Sequence, residues 1–204
     1  MLENIISTFQ IIISYIFLLP WVLLMLIITA LIPPEVDADL SHYEAYRQDL
    51  NYAVEFMPEI NSLGEYEELR FGYQKTSGFL FVAETMSLTV RYSEDEYMSV
   101  KEQVLSGYDF IDAPIIEKDG DIQLDDAFEH KGFAFRAFPT YQQNIRYGAS
   151  KYFGLLGVND DLCSIAWLYY DDVDRDYIAE VDENPDEEMC SLIDDEFHWK
   201  PFTN

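Results

Sequence analysis

The stretch YEELRFGYQKTSGFLFVAETMSLTVRY, residues 66–92, predicts the β-hairpin around which the fold is built. Three apolar residues alternate with Glu68 and Arg70 before a Thr-Ser-Gly turn at residues 76–78. Apolar and polar residues alternate again over residues 86–92. A period of two on both sides of a turn is typical of two antiparallel strands with one buried face.

Helical patterns flank this hairpin. Apolar residues at helical spacing predict a helix over residues 40–57, and residues 41–44 fit a capping box at its start. A second capping box at residues 93–96 begins a helix that we expect to end at Gly107. A last helix is predicted to begin near Asn184-Pro185, with three acids in its first turn.

Three further strands are expected over residues 131–138, 152–158 and 162–170. The resulting order is helix, two strands, helix, several strands, helix. It predicts an α+β fold in which about three helices pack on one face of a mostly antiparallel sheet. The length of residues 40–204 suits a single domain.

An uncharged apolar run, IIISYIFLLPWVLLMLIITALI, occupies residues 11–32 near the N-terminus. As a helix it would extend roughly 33 Å, enough to cross a hydrocarbon core of about 30 Å. Two prolines end the run, and acidic residues follow. We therefore predict a transmembrane helix over residues 11–32, with a short tail at residues 1–10 and a short tether at residues 33–39.

The flanks of the run bear on its topology. No Lys or Arg precedes it, and it is longer than the apolar core of a cleaved signal peptide, which favours an uncleaved anchor. The positive-inside rule gives little information on the orientation of the helix, because Glu3 is the only charged side chain before the run and Arg47 is the first cation after it. Short N-terminal tails usually stay inside, so we expect a single-pass protein of the cell membrane with its domain outside the cytoplasm.

The region after the apolar run is strongly acidic. It contains 38 acidic and 12 basic residues, which leaves 26 net negative charges. Such a surface repels phosphate backbones and anionic headgroups, so we expect the run itself to contact the lipid bilayer and no nucleic acid to bind. The same surface attracts cations and basic proteins. The alternative is that the charge serves only to keep the domain soluble.

One acidic stretch has the spacing of a calcium loop. Asp172, Asp174, Asp176 and Glu183 occupy positions one, three, five and twelve of a twelve-residue segment. The sixth position, where such loops need glycine, is Tyr177, and a strand rather than a helix is predicted before the segment. The alternative is a solvated acidic edge that resists pairing with other chains.

The other ionisable residues form no recognisable catalytic or cofactor motif in the sequence. Asp119, Asp121, Asp125 and Asp126 form a second acidic cluster, in which Asp119-Gly120-Asp121 is typical of a turn rather than of a site. Asp194 and His198 are four residues apart and are expected to share a face of the last helix as a surface pair. The sequence holds no glycine-rich phosphate loop, nucleophile elbow or Cys-x-x-Cys.

Cys163 and Cys190 are the only cysteines. They fall on a predicted core strand and on the last helix, and outside the cytoplasm such a pair can form a disulfide. Cys163 alternates with Ile165 and Trp167, which also fits a small buried core residue. We expect two thiols and keep the disulfide as the alternative.

Two segments carry a resemblance. FMPEINSLGEYEELRFGYQ (residues 56–74) and SIAWLYYDDVDRDYI (residues 164–178) resemble segments of small bacterial proteins that are membrane-anchored or secreted. The resemblance covers about half of the domain and includes no catalytic signature. It implies a bacterial cell membrane and no active residue.

Two main classes of function follow from these features. The first is a non-enzymatic binding or structural module on the outer face of the cell membrane. The second is an immunity-type neutraliser of a basic partner protein, which a field of this sign would steer. A calcium-binding domain is a further alternative. We expect no catalytic residues and no cofactor unless calcium binds.

Overall fold

The computed structural model describes residues 18–24, 32–50, 52–77, 82–113, 115–116, 123–124, 126–138, 151–172 and 185–203. Its α-helices in these ranges are α1 (residues 18–24), α2 (Tyr43–Asp49), α3 (Ala53–Phe56), α4 (Glu94–Gly107) and α5 (Pro185–Glu196). Its strands are β1 (Glu35–Asp37), β2 (Glu68–Ser77), β3 (Val82–Arg91), β4 (Ile115–Ile116), β5 (Gln123–Leu124), β6 (Ala127–His130), β7 (Phe133–Ala137), β8 (Lys151–Asn159) and β9 (Ser164–Asp172). The fold is therefore α+β, as the sequence predicts.

Seven of these strands form one antiparallel sheet in the order β1-β2-β3-β9-β8-β7-β6, and β4 pairs separately with β5. The hairpin predicted from residues 66–92 is the β2–β3 pair, with Glu68 opposite Arg91 and Ser77 opposite Val82. Part of its predicted turn, Gly78, lies outside the described residues. The mostly antiparallel sheet is confirmed.

Helices cover both faces of the sheet, so the predicted packing on one face is wrong. Alternate residues of β9 divide the core: Ile165, Trp167 and Tyr169 point to one cluster, and their neighbours along the strand to the other. We call the first side the α4 face, because α2, α3 and α4 cover it, and the second the α5 face. The α5 face is covered by α5 and by the C-terminal segment, residues 197–203.

The predicted helix over residues 40–57 is divided. A 3-10 turn at Leu40–His42 leads into α2, and α3 follows after a break at Tyr52, whose φ is 59°. The predicted capping box at residues 41–44 is also wrong, because Asp39 accepts the hydrogen bond from the Ser41 amide and so caps the first turn. A left-handed residue breaks the helical hydrogen-bond pattern whatever the apolar spacing around it.

Part of the predicted tether at residues 33–39 is β1. Val36 lies opposite Gln74 of β2, and Asp37 lies opposite Tyr73. The chain therefore enters the sheet directly after Pro33-Pro34. A charged and proline-preceded segment of three residues is a typical edge strand.

Most of the predicted transmembrane helix, residues 11–32, lies outside the described residues. The part that is described includes α1, and its large apolar side chains are 40–65 % exposed. Among the residues that the structure describes, no helix is long and apolar enough to span a bilayer.

The two later helices match the prediction closely. Ser93 caps α4, since its hydroxyl accepts from the Glu96 amide at 3.4 Å, and the helix ends at Gly107. The last helix begins at Pro185, and its apolar stripe is buried on the α5 face. This stripe consists of Met189, Leu192 and Ile193, continued by Phe197 just after the helix.

The strand predicted over residues 131–138 is only β7, and β6 pairs with it through a turn at Lys131-Gly132. Both turn residues have positive φ, 49° and 78°, as a two-residue hairpin turn requires. Cys163 was predicted to lie in a core strand, and this is wrong. It has φ 46° and belongs to the turn between β8 and β9.

Candidate functional site

A cleft of about 410 Å³ opens on the α4 face, between α4, the loop of residues 58–64 and the sheet. Its floor includes Tyr92, which follows β3, and Trp167 from the centre of β9. The remaining lining residues are Pro58, Ser62, Leu63, Gly64, Glu96, Val100, Gln103, Val104, Gly107 and Tyr108. The volume lies in the lower part of the range of small-molecule sites.

The helix α4 is attached to the turn between β8 and β9 through Tyr97 and Lys101. Tyr97 is buried, its hydroxyl donates to Asp160 Oδ1 at 2.6 Å, and Lys101 pairs with the same carboxylate. Further along the helix, Val100 and Val104 are only partly buried. The C-terminal half of α4 therefore covers the sheet loosely, and the cleft lies beneath it.

The opposite wall is held in place by α2. The buried Tyr43 hydroxyl donates to the Pro58 carbonyl at 2.5 Å, and Arg47 Nε donates to the Met57 carbonyl at 2.7 Å. Glu44 Oε1 accepts from the Ile60 amide at 3.1 Å. These three bonds fix the start of the loop of residues 58–64 against the helix. The wall formed by the loop of residues 58–64 is thus held more firmly than the wall formed by α4.

Two of the residues that line the cleft have a buried polar atom that makes no hydrogen bond of full geometry: Tyr92 Oη and Trp167 Nε1. Tyr92 is 1 % exposed and Trp167 is 2 % exposed. A buried polar group that lacks a partner costs roughly 1–3 kcal/mol, and such groups are few in folded proteins. Tyr152 Oη is a further atom of this kind but lies outside the cleft, so what is particular to the cleft is that two such groups border one cavity.

Tyr108 is the third polar group at this floor. Burial raises the pKa of its hydroxyl, and the neighbouring Trp167 indole acts on that pKa in the opposite direction. The hydroxyl donates to the Phe56 carbonyl at 3.5 Å, and the Trp167 N–H lies near enough to lower the pKa of Tyr108 as a donor would, although the contact falls short of full hydrogen-bond geometry. Burial also raises the pKa of Tyr92, so its hydroxyl keeps its proton and can donate it to a hydrogen bond.

The electrostatic field around the cleft is negative. Its lining contains one charged residue, Glu96, and no cation. Elsewhere in the described ranges, most basic side chains are paired with carboxylates, which reduces their free positive charge. Six of them form such ion pairs: Arg47, Arg70, Lys75, Arg91, Lys101 and Lys131. The large excess of acidic residues therefore dominates the field.

The structure places one residue of the predicted calcium loop. Asp172 is the last residue of β9, is 2 % exposed, and lies in register between Ala83 and Lys151. Asp174, Asp176 and Glu183 lie outside the described residues, as do Asp119, Asp121 and Asp125 of the second acidic cluster. Within the described ranges, His, Cys, Asp and Glu form no group of three that could hold a metal ion.

The histidines pair differently from the prediction. Asp194 does not pair with His198, because α5 ends at Glu196; its carboxylate accepts instead from His130 Nε2 at 2.9 Å and pairs with Lys131. These partners are the last residue of β6 and the first residue of the turn to β7, and they lie against α5. His42 pairs with Asp37 of β1 at 2.7 Å.

The two cysteines pack against opposite faces of the sheet. Cys163 adds to the cluster of the α4 face, and Cys190 packs against that of the α5 face. Their sulfur atoms contact the carbonyls of Asp160 and Glu129 at 3.9 and 3.5 Å, respectively. The structure does not bring the two thiols together.

The residues of the cleft carry no signal in the sequence. Tyr92 and Trp167 fit the alternating pattern of buried strand residues, and this pattern predicts burial correctly. It says nothing about hydrogen-bond partners, which depend on how closely α4 packs. Comparison with protein-family models, curated proteins and solved structures gave no match. The cleft and the N-terminal apolar run are therefore the two features that bear on function.

Proposed function

We propose that the protein is a membrane-tethered binding module: residues 11–32 anchor it in the cell membrane, and its acidic domain binds a small ligand in the cleft on the α4 face. The observation that carries the proposal is the pair of buried polar atoms, Tyr92 Oη and Trp167 Nε1, that make no hydrogen bond of full geometry and border this cleft. A ligand that bonds to them would recover the free energy that their burial costs.

The anchor rests on sequence and on exposure. Residues 11–32 carry no charge, and the described part of this run includes α1, whose apolar side chains are about half exposed. An apolar helix that the domain leaves uncovered is stable where lipid replaces water. The immediate entry of the chain into β1 would then hold the edge of the sheet close to the bilayer.

Membrane extraction tests the anchor. We expect the full-length chain to stay with membranes during an alkaline carbonate wash, and the fragment from Pro34 onward to remain in the supernatant. Replacing Leu23 and Leu24 by Arg should release the chain, since each arginine costs about 2.5–3.5 kcal/mol at the centre of a membrane helix. Leu40→Arg, outside the run, is the matched control. Release of the unmodified chain by carbonate contradicts the anchor.

External protease tests the orientation. Added to intact cells, it should digest the acidic domain, because we propose that the domain lies outside the cytoplasm. Protection in intact cells with digestion only after lysis would reverse the orientation. That result would leave the anchor itself standing.

Neutralisation of a basic partner is the second candidate function. It is favoured by the local pairing of six basic side chains, which leaves the acidic excess free to steer a cationic protein. Such binding should weaken steeply with salt, whereas binding of a neutral ligand in the cleft should not. A partner that is captured only at low salt supports this second function.

A further inference from the structure

We propose that the cleft on the α4 face binds an uncharged molecule with an apolar body and a hydrogen-bond acceptor, such as a carbonyl oxygen. The acceptor would receive hydrogen bonds from Trp167 Nε1 and Tyr92 Oη. This inference rests on the proposed binding function and names the chemistry of its ligand.

The polar groups at the floor of the cleft can donate hydrogen bonds, so the ligand must supply an acceptor. An indole N–H only donates, and within the described residues the Trp167 N–H makes no hydrogen bond of full geometry, its nearest polar neighbour being the Tyr108 hydroxyl. The Tyr92 hydroxyl can donate and is kept protonated by the burial that raises its pKa. A carbonyl oxygen has two lone pairs and can accept from both groups.

The walls of the cleft favour a ligand that has an apolar body and no negative charge. Pro58, Leu63, Val100 and Val104 line its sides, so an apolar group gains free energy by leaving water. An anion would be buried near Glu96 in a domain with 26 net negative charges and would meet no lining cation to offset its desolvation. A cationic group would lose its hydration on the same floor.

Access to the floor requires α4 to move. Both polar atoms are covered, and the loosely packed stretch from Val104 to Tyr108 borders them. The bonds of Tyr97 and Lys101 to Asp160 lie before this stretch of the helix and can persist while it shifts outward. Ligand binding therefore loosens the end of α4 rather than the whole helix.

Tryptophan NMR spectroscopy on the full-length chain in detergent micelles tests the proposal. The chain has three tryptophans, Trp21, Trp167 and Trp199, so three indole signals are expected. Trp199 is an internal control, because its indole donates to Thr89 Oγ1 at 2.9 Å on the other face. Trp167→Phe identifies the signal of the cleft.

The probes are N-acetyl-L-leucine amide, which is neutral, and N-acetyl-L-leucine, which has a carboxylate in the same frame. We expect the amide to shift the Trp167 signal saturably and to leave the Trp199 signal in place. The carboxylate should bind at least about tenfold more weakly, because its charge must be desolvated beside Glu96.

Two tyrosine variants form a matched pair. Tyr92→Phe removes the hydroxyl of the cleft and should weaken amide binding about three- to tenfold, the equivalent of one hydrogen bond. Tyr152→Phe makes the same change at a buried hydroxyl that lies beside Tyr52 and outside the cleft, and it should leave the affinity unchanged.

The outcomes separate the two proposals. If the carboxylate binds as tightly as the amide, the ligand class is wrong and the cleft remains a binding site. If neither probe shifts the Trp167 signal, the result contradicts both the proposed ligand class and the proposed binding function. The comparison of the two probes uses the unmodified protein, so it holds even if a variant fails to fold.

Discussion

The α-carbon of Gly72 lies so close to the backbone carbonyl of His198 that a Cβ on Gly72 would be 1.8 Å from the carbonyl oxygen. Ser87 occupies the same place, and its hydroxyl lies 3.2 Å from the Gly72 oxygen and 3.4 Å from the His198 oxygen. The absence of a side chain at Gly72 therefore allows the C-terminal segment to lie directly on the central hairpin.

We predict that Gly72→Ala displaces the C-terminal segment and lowers the free energy of unfolding by about 1–3 kcal/mol, as expected for overpacking in a dense core. Gly107→Ala is the matched control, because no atom lies within 4 Å of a Cβ at the end of α4. Alanine is also the better helix former there, by up to about 1 kcal/mol. Urea unfolding of the full-length chain in a mild detergent measures both. Equal stability of the two variants would mean that the segment does not pack on Gly72.

The polar side of the hairpin illustrates what alternation can predict. Ser87 and Thr89 alternate with the apolar residues of β3, which predicts that they face away from the core of the α4 face, and they do. They are nevertheless 2 % and 1 % exposed, because the C-terminal segment covers them and Trp199 donates to Thr89. A hydroxyl satisfied by water and one satisfied by a distant segment look the same in a sequence.

The candidate site was less predictable than the fold. The strand positions of Tyr92 and Trp167 follow from a period of two, but the cleft above them results from a loose fit of α4 and from the attachment of Pro58 to Tyr43. Both are packing properties with no local pattern. The left-handed φ of Cys163 was equally unpredictable, because cysteine is not a residue type that indicates a turn in a sequence.

Two buried tyrosine hydroxyls should respond oppositely to removal. Tyr43→Phe takes away the donor of the Pro58 carbonyl and should cost about 1–3 kcal/mol, because it leaves an acceptor unsatisfied in the wall of the cleft. Tyr92→Phe removes a hydroxyl that has no partner, so stability should stay constant or rise. Thermal unfolding of both variants gives the comparison. A larger loss for Tyr92→Phe would show that its hydroxyl has a partner in solution.

The link between β1 and α2 should depend on pH. Hydrogen bonds from the Asp39 amide and from His42 lower the pKa of Asp37, and the bond with Asp37 raises the pKa of His42. The contribution of Asp37 is therefore full above its ordinary pKa of 3.8 and is lost as the pH falls through the lowered value. That of His42 is full below 6.5 and is lost as the pH rises through the raised value.

His42→Gln should accordingly destabilise the domain at mildly acidic pH and have little effect once the pH exceeds the raised pKa of His42. The difference in the free energy of unfolding between the variant and the unmodified chain, measured from about pH 5 to about pH 9, checks this. Glu35→Gln changes an exposed charge on the same strand and should give a difference that does not follow the titration of His42. A pH-independent effect of His42→Gln would contradict the ion pair.

The last prediction concerns Cys163 and Cys190. A disulfide requires their α-carbons to lie within about 7 Å, yet the two residues pack on opposite faces of the sheet. We therefore expect two alkylated thiols per chain in denaturant without prior reduction, counted by mass, and one in Cys163→Ser. In the native protein Cys163 should react slowly, because burial, with nearby carboxylates, raises its pKa and reduces its thiolate fraction. Labelling that appears only after reduction would require α5 to pack differently, and the oxidised pair would then be independent chemical support for a domain outside the cytoplasm.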